Sequence, residues 1–135
     1  MASIDSALYT RLSGFAGLAA LVSTRIYPPL APQNATYPLV TYQQISAIRP
    51  YAMGTQIGLV QARFQLDSWA ETSPGARAVS EQVRLALSNY SGTSDTIVIN
   101  HCELVNEQRG DPEDQGELHR IIQDFMVWFF EASIP

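Results

Sequence analysis

His101, Cys102 and His119 are the residues of this 135-residue chain best suited to hold a transition metal or to form a nucleophilic pair. Their spacing argues against both. The run from Thr96 to Val105 has the composition of a strand. Adjacent strand residues point to opposite faces, so His101 and Cys102 would not share a site. Two histidines and one cysteine also fall short of a structural zinc set unless carboxylates complete it. Asp111, Glu113, Gln115 and Gly116 imitate the first half of a calcium-binding loop, with glycine at the sixth position. The twelfth position, which must supply a bidentate Glu, is Ile122. A solvated acidic loop is therefore the better reading. Asp67 and Glu71 would serve acid–base chemistry only inside a cleft, and surface charges at a strand end account for them more simply. Arg109-Gly110-Asp111 spells a cell-adhesion tripeptide, which is too short to carry weight. No serine sits in a nucleophile elbow, and the glycines follow neither the dinucleotide nor the Walker pattern. The residues predict no enzyme, no cofactor and no metal.

The composition narrows the alternatives. With 46% hydrophobic and 16% charged residues the chain has the makings of a folded core, and its length suits one domain spanning residues 1–135. A net charge of −5 opposes a general nucleic-acid binder, which presents a basic face. Every basic residue is Arg and none is Lys, a bias that genomic base composition explains. One cysteine forms no internal disulfide. The opening MASID lacks the basic and apolar regions of a secretory signal. The longest uncharged run suited to a helix, around Leu12 to Thr24, is too short and too rich in Gly and Ser to span a bilayer. The expectation is a soluble protein made inside the cell, with no membrane partner.

What remains is a set of well-patterned elements. Ser3 can cap a helix with apolar positions Ile4, Leu8, Leu12, Phe15, Leu18 and Val22. Gly14 and Gly17 leave open whether this is one kinked helix or two short ones. Arg25-Ile26-Tyr27 reads as a short extended piece before a stiff Pro-rich connector. Strands follow from Leu39 to Ile48 and from Leu59 to Trp69, joined by a long hairpin tip from Arg49 to Gly58. In the second strand Val60, Ala62, Phe64 and Leu66 share one face, and Gln61, Arg63, Gln65 and Asp67 the other. Thr72 or Ser73 begins a helix with Pro74 near its first position and a stripe of Ala76, Val79, Val83 and Leu87. Thr96 to Val105 is a third strand, and an acidic loop NEQRGDPEDQGE leads to a last one from Leu118 to about Glu131.

This order predicts an α+β domain: an antiparallel sheet of about four main strands in two hairpins, with an N-terminal helix and a central helix packed on one face. The last strand is apolar on both sides. Phe125, Val127 and Phe129 point one way, and Met126, Trp128 and Phe130 the other. If the helices cover one side, a neighbouring subunit is the natural cover for the second. The N-terminal helix on the far side of the strand is the alternative.

The sequence resembles the tail-completion or tail-terminator proteins of long-tailed bacteriophages and related gene transfer agents. The matching pieces run nearly end to end: ALYTRL, LAALVSTRIYPPLAPQNATYPLVTYQQIS, VQARFQLDSWAETSPGARAVSEQVRLAL and HRIIQDFMVWF. Their order and spacing carry the likeness, while the acidic stretch from Glu107 to Glu117 looks individual to this chain. The resemblance implies a structural virion protein at the head–tail junction, assembled in the bacterial host cytoplasm. It would form a homo-oligomeric ring, typically hexameric, that caps the head-proximal end of the tail tube. The ring would end tube growth and offer a docking surface to the head connector or other neck proteins, with DNA only as passing cargo. A head-completion or head–tail joining neck protein is the alternative.

Two surfaces are expected to serve such a ring. Arg49, Tyr51, Met53 and Gln56 on the hairpin, with Met126, Trp128 and Phe130 on the last strand, are interface candidates, since a closed ring needs two different patches that meet head to tail. The acidic loop, with Glu107, Asp111, Glu113, Asp114 and Glu117, is a candidate lining for a channel that must not hold phosphates.

Overall fold

The computed structural model describes residues 3–28, 32–49, 51–52, 55–56, 58–110 and 118–130. The N-terminal helical pattern resolves into two helices, α1 (Ile4–Ser13) and α2 (Ala16–Val22). Ser3 and Ser6 form a reciprocal capping box at the start of α1, with Ser6 N–H donating to Ser3 Oγ and Ser3 N–H to Ser6 Oγ. Gly14 ends α1, and Phe15 restarts the chain as the N-cap residue of α2. The main strands are β2 (Leu39–Ile48), β5 (Leu59–Ala70), β7 (Ile97–Arg109) and β8 (His119–Phe130), with α3 (Ser73–Leu87) between β5 and β7. Thr72 caps α3, its hydroxyl accepting from Gly75 N–H at 3.0 Å, and Pro74 lies in the first turn, where no helical N–H is needed.

The sheet is larger than the four strands read from the sequence. Its order is β1-β2-β5-β8-β7-β6, with β1 (Ile26–Tyr27) and β6 (Gly92–Ser94) as short outer strands. β1 runs parallel to β2, pairing Ile26 with Val40 and Tyr27 with Thr41, and the other pairings in this sheet are antiparallel. β6 turns into β7 through Asp95 and Thr96, both with positive φ (47° and 65°), the backbone of a tight two-residue hairpin. This outer strand also ties down α1: Ser94 Oγ donates to Ala7 carbonyl oxygen at 2.7 Å, and Ser6 Oγ to Asp95 Oδ2 at 2.6 Å. A separate two-stranded ladder, β3 (Tyr51–Ala52) with β4 (Thr55–Gln56), extends the β2–β5 hairpin.

One core joins all three helices to one face of the sheet. Val60, Ala62, Phe64 and Leu66 of β5 and Phe125, Val127 and Phe129 of β8 meet Leu8, Leu12, Leu18, Val22, Val79 and Val83 there. Phe64 and Phe125 are cross-strand partners, both wholly buried, and each contributes roughly 2–3 kcal/mol by leaving water. Since α1 and α2 lie on the same face as α3, the alternative that an N-terminal helix covers the far side of β8 is excluded. Arg11 locks the helices together: its guanidinium lies over Phe15 and Tyr90, and its Nε donates to Ala86 carbonyl oxygen at 2.9 Å.

Candidate interaction surface

The alternation of β5 and β8 puts a second set of side chains on the face that no helix covers. Cross-strand pairing arranges them in rows: Leu59 with Phe130 and Val98, Gln61 with Trp128 and His101, Arg63 with Met126 and Glu103, Gln65 with Asp124 and Asn106. The rows differ in chemistry along the strands. In the middle the face is polar and internally paired. Arg63 Nη2 reaches Asp124 Oδ2 at 2.7 Å, and Gln65 Nε2 donates to Asp67 Oδ1 at 3.1 Å. Arg120 lies 3.5 Å from Asp67 and stacks over Trp69, whose Nε1 donates to Thr41 Oγ1. Only one end is apolar. Phe130, Val98 and Ile48 are exposed there by 42%, 46% and 60%, beside half-buried Leu59, Trp128 and Met126. His101 stacks on Trp128 with ring centroids 5.5 Å apart. Met126, Trp128 and Phe130 belong to this apolar end, and the polar face expected for β5 runs beside it.

The hairpin leaves the sheet at that same end, because β3 and β4 lie between Ile48 and Leu59. Arg49 is exposed where β2 finishes. Tyr51 and Gln56 are cross-strand partners in the β3–β4 ladder, and Met53 lies outside the described residues. At the other end of the sheet β7 finishes at Arg109, which pairs with Ile121, and β8 begins at His119. Asp111, Glu113, Asp114 and Glu117 lie outside the described residues.

Glu107 is a correction. It belongs to β7, which runs on to Arg109, not to the loop. It takes a hydrogen bond from the wholly buried Gln123 at 2.8 Å, and Arg77 lies 3.5 Å away. Gln123 Nε2 also donates to Ser80 carbonyl oxygen at 3.1 Å, so this small network joins α3 to the sheet. Sequence reasoning missed Gln123. A glutamine on the apolar face of an otherwise alternating strand was the available signal.

His101 and Cys102 point to opposite faces of β7. Cys102 is wholly buried, and burial pushes its thiol up to about 12. Among the described residues no group of His, Cys, Asp and Glu is placed to hold a metal ion, and no helix is long and apolar enough to cross a membrane. On α3 the Glu81 carboxyl is lowered by its hydrogen bond from Arg84 at 2.8 Å. Burial, followed by the nearby Asp5, raises the Tyr42 phenol. These are structural groups rather than reactive ones.

Comparison with known proteins places the fold. A solved chain from the virion of a native gene transfer agent particle is similar in fold, with a TM-score of 0.80, 17% identity and 96% of each chain covered. A second solved structure, of a protein that carries no descriptive name, has a TM-score of 0.57 at 15% identity, covering 98% of this chain and 96% of its own. No curated protein matches the sequence. The model of the family described as tail completion protein gp17 matches residues 6–129, and over that span, nearly the whole chain, the protein belongs to the phage tail completion family.

Proposed function

We propose that the protein is a tail terminator: copies of it close into a ring, hexameric by the family resemblance, on the head-proximal end of the tail tube. The ring ends tube growth and presents a docking surface to the head connector. The family match over residues 6–129 carries this reading. The apolar patch and the hairpin at one end of the uncovered sheet face support it, because they offer a neighbour or the tube a surface that water does not suit. Arg49, Tyr51, Met53 and Gln56 are assigned to that contact with Met126, Trp128 and Phe130. The acidic stretch at the opposite end, with Asp111, Glu113, Asp114 and Glu117, is assigned to repelling DNA as it passes. Glu107 is a weaker member of that set, since Gln123 and Arg77 already engage its carboxylate.

A tagged copy that restores particles to a deletion strain locates the protein. Gold label at the junction of head and tail is the expected result. Label at the distal tip, or spread over the capsid, overturns the assignment. A neck protein that joins finished heads to finished tails is the second reading, and tail length in the deletion strain separates the two.

A further inference from the structure

Among the described residues the short outer strands β1 and β6 cover only part of the outer edges of β2 and β7. β1 pairs with β2 at Val40 and Thr41 and reaches no further. β6 pairs with β7 from Ile97 to Ile99, and Asn89 N–H adds one bond to Cys102 carbonyl oxygen. Among the described residues no backbone partner lies beside the outer edge of β2 from Gln43 to Ile48, or of β7 from Glu103 to Arg109. Proteins usually blunt such edges with Lys, Pro or inward-pointing charge. The β2 stretch, Gln43-Gln44-Ile45-Ser46-Ala47-Ile48, has no charge and no proline.

Both stretches also bulge, on opposite sides of one cross-strand row: β2 on its Arg63 side and β7 on its Asp124 side. The β2 ladder slips between Gln44 and Ser46, and the β7 ladder between Leu104 and Asn106. Gln44 is level with Leu104 through Phe64 and Phe125, and Ser46 is level with Glu103 through Arg63 and Met126. The extra residue is Ile45 in one strand and Val105 in the other, exposed by 46% and 42%. A bulge that protects an edge needs no aliphatic residue at its tip. Here each bulge presents a β-branched one.

We propose that β2 of one copy and β7 of the next pair edge to edge, so that the assembled ring carries a continuous sheet with Ile45 packed against Val105 of the neighbour. This rests on the ring reading and names the contact that builds it. The strand directions permit the pairing. β2, β5, β8 and β7 alternate in direction, so the β7 of one copy laid beside the β2 of the next, with the sheets in the same sense, is antiparallel. The contact joins two different surfaces of the same chain, which is the geometry that closes a ring. It also explains why β1 and β6 are so short, since longer outer strands would occupy the edges the neighbours use.

The test is cysteine cross-linking in purified particles. Ile45→Cys and Val105→Cys are combined in one chain, with Cys102 kept because it is buried. Oxidation is expected to give a ladder of covalent multimers up to the full ring, with either single variant and the parent remaining monomeric. The pair Leu85→Cys with Val105→Cys, which uses an exposed residue of α3, is the negative control. A ring visible by electron microscopy with no ladder overturns the edge pairing and leaves the ring reading standing. Particles in which the protein forms no ring overturn both. Hydrogen exchange on parent particles is independent of the substitutions. Amides of 43–48 and 103–109 are expected to slow at least tenfold relative to the free protein, and unchanged exchange in both stretches contradicts the pairing.

Discussion

Gln123 shows how much a single polar side chain can carry in this fold. It is wholly buried, and its amide nitrogen serves both Ser80 and Glu107. Gln123→Ala removes both hydrogen bonds and opens a cavity, at a cost of about 2–4 kcal/mol, measured as a shift in urea midpoint. Glu107→Ala is expected to cost less, because its carboxylate keeps 31% exposure and water replaces the partner. Cys102 gives the second prediction. With its thiol pushed up to about 12, it does not react with Ellman's reagent at pH 8 until the chain unfolds. The folded value lies above the unfolded one. The contribution to stability is therefore whole below pH 9 and is lost as pH rises toward 12, where the unfolded thiol has ionised and the folded one has not. Cys102→Ala should flatten that part of the stability curve. Prompt labelling of the folded protein contradicts the burial. Cys102 and His101 were separable from sequence because strand alternation splits neighbours. Glu107 was not: β7 continues past the Val105 bulge into Asn106, Glu107, Gln108 and Arg109, an exposed edge whose polar residues carry no alternation to read.

At the scale of elements, the strands that bury a face were legible, β1 showed only as a short extended piece at Arg25-Ile26-Tyr27, and β6 was not read. β5 and β8 alternate because one side packs on three helices, and α3 follows its stripe of Ala76, Val79, Val83 and Leu87. β1 and β6, of two and three residues, are too short for any period. The turn before β7 uses Asp95-Thr96 rather than the Asn-Gly or Asp-Gly that announces a hairpin. The break between α1 and α2 was visible in Gly14, but only the restart at Phe15 decides for two helices. The hairpin from Arg49 to Gly58 adds its own ladder, separate from the six-stranded sheet that packs on the helices. Replacing it with a two-residue Asn-Gly turn between β2 and β5 is expected to leave the thermal midpoint of the monomer within a few degrees of the parent. The same change should abolish ring formation on tails. A normal ring from the shortened chain removes the hairpin from the interface.

For the whole molecule, the sheet separates two environments. One end holds the apolar patch and the base of the hairpin, and the other holds the strand ends that flank the acidic stretch. In the polar middle of the uncovered face Arg63 pairs with Asp124 and Arg120 with Asp67. These surfaces belong to a member of the tail completion family. Whether this protein stops the tube is tested by the length distribution of tails, seen by electron microscopy in a producing strain that lacks the gene. Headless tails of uncontrolled, excessive length are expected. Tails of normal length that only fail to join heads would contradict that role and make this a neck component instead.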